Sequence, residues 1–374
     1  MFEEYTGNEQ FDLQINRFMG DTFQNDSRAQ KDLKEIIPKL IDVDGWFKVW
    51  HEKAVEREQN GDFDLASKYY QAAEFYLDDS SSYKNEMYHK YRENFYKSYD
   101  TSHFKMYEVP YEQSFLPAIR MGEDPNLPTT VFFAGYDSYI EELLPMIENV
   151  AKQLKHNIIL FEGPGQGSAL KNGLKFIPNW EKPMKALLDY FNLDQVNIVG
   201  ISWGGYFAIR AAAFEKRIDK VVCFDIFYSG LDTLKMKTDK KDWASLMALM
   251  EAKEEEAVNQ IFYKKMSQDL DLNWKIKKGM ENTGEKTPFA LIKNFEKHTM
   301  ANLGPLVNQD VLLLAGEQDQ YVPIERLHQI EKELVNAASV TSKVFTKETG
   351  GEQHCQAGYR HLAFDVINQF LTKK

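Results

Sequence analysis

The chain of 374 residues carries 57 acidic against 45 basic side chains, a formal charge of −12, and is 43% hydrophobic and 27% charged, a globular composition with little room for extended disorder. Its negative field repels nucleic acid and anionic membrane surfaces. Cys223 and Cys355 lack the Cys-x-x-Cys spacing of a zinc or redox pair, and the eight histidines are scattered, so neither a metal nor a cofactor is expected.

The N-terminal Met1-Phe2-Glu3-Glu4-Tyr5 is acidic where a signal peptide is basic, and no run of ~18 apolar residues follows anywhere. A soluble, cytoplasmic protein is expected. From about Ser27 to Ser98, apolar and aromatic residues recur at helical steps, as in Trp46/Trp50, Tyr69/Ala73 and Tyr88/Tyr91/Phe95. Breaks at Gly61-Asp62 and from Asp78 to Tyr83 divide this stretch into separate rods. The pair around Gly61 looks like one tetratricopeptide unit, but no second copy follows at a period of ~34 residues. The expectation is an all-helical N-terminal domain over 1–100, covering the active site of a second domain over 101–374.

Beyond Tyr99 short β-rich runs alternate with helical ones, the pattern of a mostly parallel, doubly wound α/β sheet with helices on both faces. Strands are expected at Phe104–Val109, Ser114–Met121, Thr130–Ala134, Asn157–Phe161, Val196–Ile201, Lys220–Phe224, Asp310–Ala315 and Lys343–Thr346. No strand is expected between Phe227 and Asp310, longer than an ordinary crossover. A helical cap inserted at about 228–305 accounts for it, with Trp243–Met250 and Ala257–Met266 as helices and the polar run from Met280 to Pro288 as an interruption.

The chemistry centres on Gly200-Ile201-Ser202-Trp203-Gly204-Gly205, which runs from a strand through a tight turn into a helix. A serine hydroxyl is a poor nucleophile unless a base and an exposed geometry activate it. Gly200, Gly204 and Gly205 fit a turn in which side chains would collide. A base is expected after the last strand, and an acid after a strand between the nucleophile and that base. His354, in Glu352-Gln353-His354, and Asp319, in Glu317-Gln318-Asp319, fill those places in the order Ser202, Asp319, His354. Asp319 is favoured as the acid over a plain helix-start cap, with Glu317 or Asp225 as alternative acids, and His354 is favoured as the base over His361. Oxyanion donors are expected from the backbone N–H groups of Trp203 and Tyr136, although Gly135-Tyr136-Asp137-Ser138 also reads as a simple turn and cap. The glycine-rich Glu162-Gly163-Pro164-Gly165-Gln166-Gly167 lacks the ending of a phosphate-binding loop and reads as a structural loop beside the active site. The 13% aromatic content fits a closed pocket for a mid-sized apolar or aromatic substrate, or simply a core.

Taken together, these motifs, with Glu141-Glu142 and Glu352-Gln353-His354-Cys355, resemble from about residue 40 to the C-terminus one branch of the α/β hydrolases. That branch contains 2,6-dihydroxypseudooxynicotine hydrolase, fungal heptaketide-shortening hydrolases and the fermentation-respiration switch protein. The resemblance implies a serine hydrolase acting at the carbonyl of a small organic molecule. The bond cleaved would be a carboxylic ester, or a carbon–carbon bond beside a ketone as in β-diketone-like or acyl-aromatic compounds; acyl transfer and ligand binding without turnover are the alternatives. It also implies a homodimer and an auxiliary acid near the oxyanion loop, at Asp137 or, in its place, Glu141 or Glu142. Where relatives often have Leu after the oxyanion-loop glycine, this chain has Tyr136, which adds a hydroxyl to the pocket or narrows it.

Overall fold

Eight β-rich runs pair into one sheet in the computed structural model, which describes residues 2–24 and 26–373. The strands are β1 (Lys105–Tyr111), β2 (Ser114–Met121), β3 (Thr129–Phe133), β4 (Asn157–Phe161), β5 (Val196–Ile201), β6 (Ile218–Phe224), β7 (Asp310–Gly316) and β8 (Ser339–Phe345). Their spatial order is β1-β2-β4-β3-β5-β6-β7-β8. β2 runs antiparallel to both neighbours and all other pairs are parallel. Every residue of β3, β4 and β5 is buried, as strands covered on both faces must be. The crossing from β4 back to β3 and on to β5 places the start of a crevice at the C-terminal ends of these strands, where ligands bind in open α/β sheets.

The edge strand departs from the expected Lys343–Thr346. β8 begins at Ser339, and its first four residues, Ser-Val-Thr-Ser, are exposed. An edge strand can be built from such polar residues because only one side of it needs a ladder partner, so it carries no apolar run to read.

The chain divides into two compact units, Met1–His103 with Ala357–His361, and Phe104–Gln356 with Leu362–Lys374. The first is built of helices Glu9–Phe23, Ser27–Ile36, Val43–Gln59, Phe63–Phe75 and Ser82–Ser98. Asn8, Asp26, Asp42 and Ser81 each cap a helix by accepting backbone amides. Trp46, Trp50 and Tyr69 fill its core, and the Trp46 indole donates to the Ala72 carbonyl at 2.7 Å. Buried Asp32 holds Arg57 through two bonds of 2.7 and 2.8 Å and accepts the Tyr69 hydroxyl at 2.9 Å. Glu9–Phe23 lies before the stretch that reads as helical. Its Gln10, Asp12, Gln14 and Asn16 are buried, Asp12 accepting the amides of Tyr5, Thr6 and Gly7, and polar residues used this way hide the apolar periodicity.

In the second unit, helices Asp232–Lys235, Lys240–Glu251, Glu255–Met266, Leu270–Thr283 and Pro288–Phe295 occupy the segment between β6 and β7. Their Leu246, Met250, Phe262, Ile276, Leu291 and Phe295 join the sheet's own hydrophobic core. The interruption is shorter than the run Met280–Pro288. The helix continues to Thr283 and stops at Gly284, whose φ of 78° supplies a left-handed C-cap. Among the described residues no helix is long and apolar enough to cross a membrane.

Candidate active site

Ser202 follows the last residue of β5 and precedes the helix Gly204–Phe214. Its φ of +62° is left-handed, a conformation that costs a non-glycine residue roughly 1–2 kcal/mol and persists only where the surroundings impose it. Here the Ser202 amide donates to the Phe224 carbonyl of β6 at 2.6 Å, and the Ser202 carbonyl accepts the Gly205 amide at 2.8 Å. A Cβ at Gly200 would overlap the Gly204 carbonyl, and one at Gly205 the Asp225 carbonyl. Gly204 is less confined than expected: its Cβ would meet its nearest atom, the Ala134 oxygen, at 3.1 Å.

His354 Nε2 lies 2.8 Å from Ser202 Oγ, and His354 Nδ1 lies 2.7 Å from Asp319 Oδ2. Three loops far apart in sequence thus converge on one relay. Ser202 and His354 are partly buried and Asp319 fully so, so the relay runs from the accessible side inward. Asp319 serves as a turn cap as well as a partner for the imidazole, since its Oδ1 accepts the amides of Tyr321 and Val322 at 2.7 and 2.9 Å. Those bonds aim Oδ2 at the ring. Burial alone would raise the Asp319 carboxyl, but the His354 charge and the hydrogen bonds outweigh it and hold it below the usual range. Burial would likewise lower His354, and the adjacent carboxylates overcome it, raising the imidazole well above its ordinary value. The Tyr321 ring stands edge-on to the imidazole at 4.9 Å. Gln320 Oε1 accepts the His354 amide at 3.1 Å, and Gln320 Nε2 bonds the Gln353 side chain.

Two of the competing residues face solvent. Glu317 is exposed and accepts the Lys347 amide at 2.8 Å. His361 is exposed in the first turn of the C-terminal helix Arg360–Thr372. Asp225 is different: it is fully buried, and its Oδ2 lies 3.4 Å from His354 Nδ1.

The loop after β3 abuts the serine turn. A Cβ on Gly135 would sit 2.5 Å from the Trp203 amide nitrogen and 3.0 Å from the Ile201 carbonyl. Among the described residues, the amides of Trp203 and Tyr136 donate to no protein acceptor. The glycine-rich loop after β4 braces this region. Gln166 Nε2 donates to the carbonyls of Ala134 and Gly135 at 2.6 and 2.9 Å, and Gln166 Oε1 accepts the Gly163 amide at 2.9 Å. A trans peptide carries its N–H opposite its C=O, so holding the Gly135 carbonyl fixes the direction of the Tyr136 N–H. Glu162 accepts the amides of Ile140 and Ser168 at 2.8 and 2.6 Å, tying the next two helices to the same loop.

The Tyr136 side chain neither opens to solvent nor supplies a free hydroxyl. It is buried, stacks on Trp203 at 5.3 Å and donates to the Lys275 carbonyl of the cap at 2.7 Å. Asn282 Nδ2 donates to the Tyr136 carbonyl at 2.7 Å, so the helix Leu270–Thr283 holds the loop after β3 twice. Asp137 is partly buried in that loop, and Glu141 and Glu142 are buried in the first turn of the following helix, Ile140–Leu154. The Trp203 indole donates to His298 Nδ1 at 3.1 Å, and burial lowers that imidazole to about 3, keeping it neutral. Gln166 had a visible signal in the glycine-rich loop; Asn282, Lys275 and His298 had none, since each meets the site only through tertiary packing.

Among the described residues, one group of ligand-type side chains, Asp225, His354 and Cys355, lies within 4.8 Å. Its atoms are committed: His354 Nδ1 to Asp319, Asp225 Oδ2 to the Cys355 amide at 3.3 Å and the imidazole, and Cys355 Sγ toward the Phe224 carbonyl at 3.8 Å. The group is the buried side of the relay rather than an ion cradle.

Residues 132–356 match the alpha/beta hydrolase fold family. The chain is 28% identical over 265 residues to the hydrolase ORFZ of Pyricularia oryzae, covering 66% of this chain and 62% of that one. It is also 28% identical over 246 residues to the hydrolase acrC of Aspergillus aculeatus, covering 51% and 57%. The match thus spans less than two thirds of the length of these curated relatives. Among solved structures, AbyA5 superposes with a TM-score of 0.71 at 16% identity, over 98% of this chain and 95% of AbyA5. The crystal structure of 2,6-dihydroxy-pseudo-oxynicotine hydrolase superposes at 0.64 and 16%, over 96% and 94%. With a family match over more than half its length and a sheet of the same fold, this chain belongs to the α/β-hydrolase family.

Proposed function

We propose that the protein is a serine hydrolase acting at the carbonyl of a small organic substrate. Ser202 is the nucleophile, His354 the general base and Asp319 the acid that holds the imidazole in its working tautomer. The observation that carries this reading is the continuous contact from Ser202 Oγ through His354 to Asp319, at 2.8 and 2.7 Å, behind a serine in the left-handed region.

In this mechanism His354 Nε2 takes the Ser202 proton as Oγ attacks the carbonyl carbon, and the imidazolium forms against the Asp319 carboxylate. The amides of Trp203 and Tyr136 receive the developing oxyanion, the first aided by the helix that begins at Gly204. His354 then returns its proton to the leaving group, and a water activated by the same nitrogen releases the acyl group from Ser202.

The substrate is a carboxylic ester, or a β-diketone-like or acyl-aromatic compound cut at a carbon–carbon bond. In the second case the leaving group is a stabilised carbanion, which takes up the proton that His354 holds, with Asp137, or Glu141 or Glu142 in its place, as the auxiliary acid.

A fluorophosphonate probe tests the nucleophile: the wild type should label, and Ser202→Ala should not label and should lose at least about 10⁴-fold in kcat. A folded wild type that fails to label would refute the reading. Incubation with esters and with acyl-phenols or β-diketones separates the two bond types, because only carbon–carbon cleavage yields an acid without an alcohol. An amine or alcohol acceptor that shifts product partition with concentration would instead establish acyl transfer.

A further inference from the structure

The relay contains one buried carboxyl more than its mechanism uses. Asp225 follows β6, is fully buried, and reaches the site from a different strand end than Asp319. Its Oδ1 accepts the Ile226 amide at 3.0 Å, and its Oδ2 faces both the Cys355 amide at 3.3 Å and His354 Nδ1 at 3.4 Å. Asp319 Oδ2 flanks the same nitrogen at 2.7 Å. Two carboxyls therefore converge on one imidazole nitrogen. Two buried like charges at such range resist ionising together, so one of the two carboxyls holds its proton to higher pH.

We propose that Asp225 is a positioning residue of the relay, sharing one proton with Asp319 and standing ready to accept the His354 Nδ1–H. This inference rests on the reading of Ser202, His354 and Asp319 given above. With His354 neutral, the pair holds a single proton and a single negative charge. Donation from Asp225 steadies the charge on Asp319, whose Oδ2 receives Nδ1–H. When Ser202 passes its proton to Nε2, the imidazolium faces that one charge, and the proton between the carboxyls stays in place. Above the pH at which Asp225 ionises, a second carboxylate faces the ring and further favours the imidazolium.

The electrostatics agree with this assignment. Burial first, and then the Asp319 charge, push the Asp225 carboxyl up to about 7, whereas Asp319 is held low. Among the described residues, the other titratable groups facing Asp225 are His354 and Cys355 from the loop after β8 and Cys223 from its own strand. Burial raises both thiols, so neither is charged near neutrality.

The test uses the full-length protein, with fluorophosphonate labelling rate and ester kcat/KM read against pH. Rate should rise with pH as His354 loses its proton, along a limb above the ordinary imidazole value. Asp225→Asn keeps a donor toward Asp319 but removes a carboxylate, so its limb should move to lower pH; a purely structural role would leave it in place. Asp319→Asn should lose about tenfold to a hundredfold, with residual rate rising as Asp225 ionises, while Asp225→Asn/Asp319→Asn should lose about 10⁴-fold, as for removal of the only acid. The inference is overturned if Asp319→Asn alone falls as far as the double variant, or if Asp225→Asn keeps the wild-type limb. Should Asp225→Asn not fold, the size of the Asp319→Asn loss decides: about 10⁴-fold, as for removal of the only acid, overturns the proposal, and about tenfold to a hundredfold supports it. Labelling of the wild type with either overturning result refutes Asp225 alone, whereas no labelling at all refutes the serine reading and this inference with it.

Discussion

Replacing Gln166 by Leu separates the loop's structural role from the catalytic one proposed for it. Gln166 is buried and makes three bonds of 2.6 to 2.9 Å, to the carbonyls of Ala134 and Gly135 and the amide of Gly163. Leu has similar bulk and no polar atom, so three buried main-chain groups would lose their partners. At about 1 kcal/mol each, the low end for an orphaned buried group, destabilisation should reach about 3 kcal/mol. The freed Gly135–Tyr136 peptide could then rotate, carrying the Tyr136 N–H away from the serine turn. Loss of one oxyanion donor costs about 10²–10³ in kcat. Urea denaturation measures the first effect, and kcat on an activated ester, taken well below the unfolding transition, measures the second. A variant that loses about 3 kcal/mol yet keeps wild-type kcat would refute Tyr136 as an oxyanion donor. One that keeps its stability would refute the account of Gln166 as a brace.

Tyr136→Phe removes the hydroxyl bonded to the Lys275 carbonyl at 2.7 Å and should cost about 1–2 kcal/mol in thermal or urea unfolding. Its kcat should change less than tenfold, because the catalytic contribution proposed for this residue is its backbone amide; a larger loss would mean that the hydroxyl enters the chemistry. In the helical unit, Asp32→Ala leaves Arg57 with only its bond to Asp62 at 2.9 Å and strands the buried Tyr69 hydroxyl. The lost charge-assisted bonds and the orphaned hydroxyl should cost about 2–3 kcal/mol, visible as an earlier loss of helical circular dichroism, and a loss below about 1 kcal/mol would show that the cluster is solvated.

Much of the architecture was legible because it is written in local patterns. The alternation of apolar β-rich runs with helical ones marks the sheet, and β2, β4 and β5 lie at the residues expected from composition alone. The polar start of β8 and the helix Glu9–Phe23 were not legible, for related reasons. An edge strand needs no apolar run, and a helix that buries Gln10, Asp12, Gln14 and Asn16 does not show the periodicity that identifies one.

The site divides along the same line. The sequence by itself determined that a serine sits in a glycine-flanked strand–helix turn, with carboxylates and a histidine later in the chain at strand ends, because turn sterics and strand punctuation act over a few residues. Only the tertiary structure decided which groups face one another. Asp225, Asp319 and His354 come from three different strand ends, and their meeting depends on the order β5-β6-β7-β8 and the parallel registers between those strands. Sequence spacing cannot distinguish an acid 2.7 Å from the imidazole from one at 3.4 Å or from Glu317 facing solvent. That distinction rests on burial and aim, which long-range packing sets.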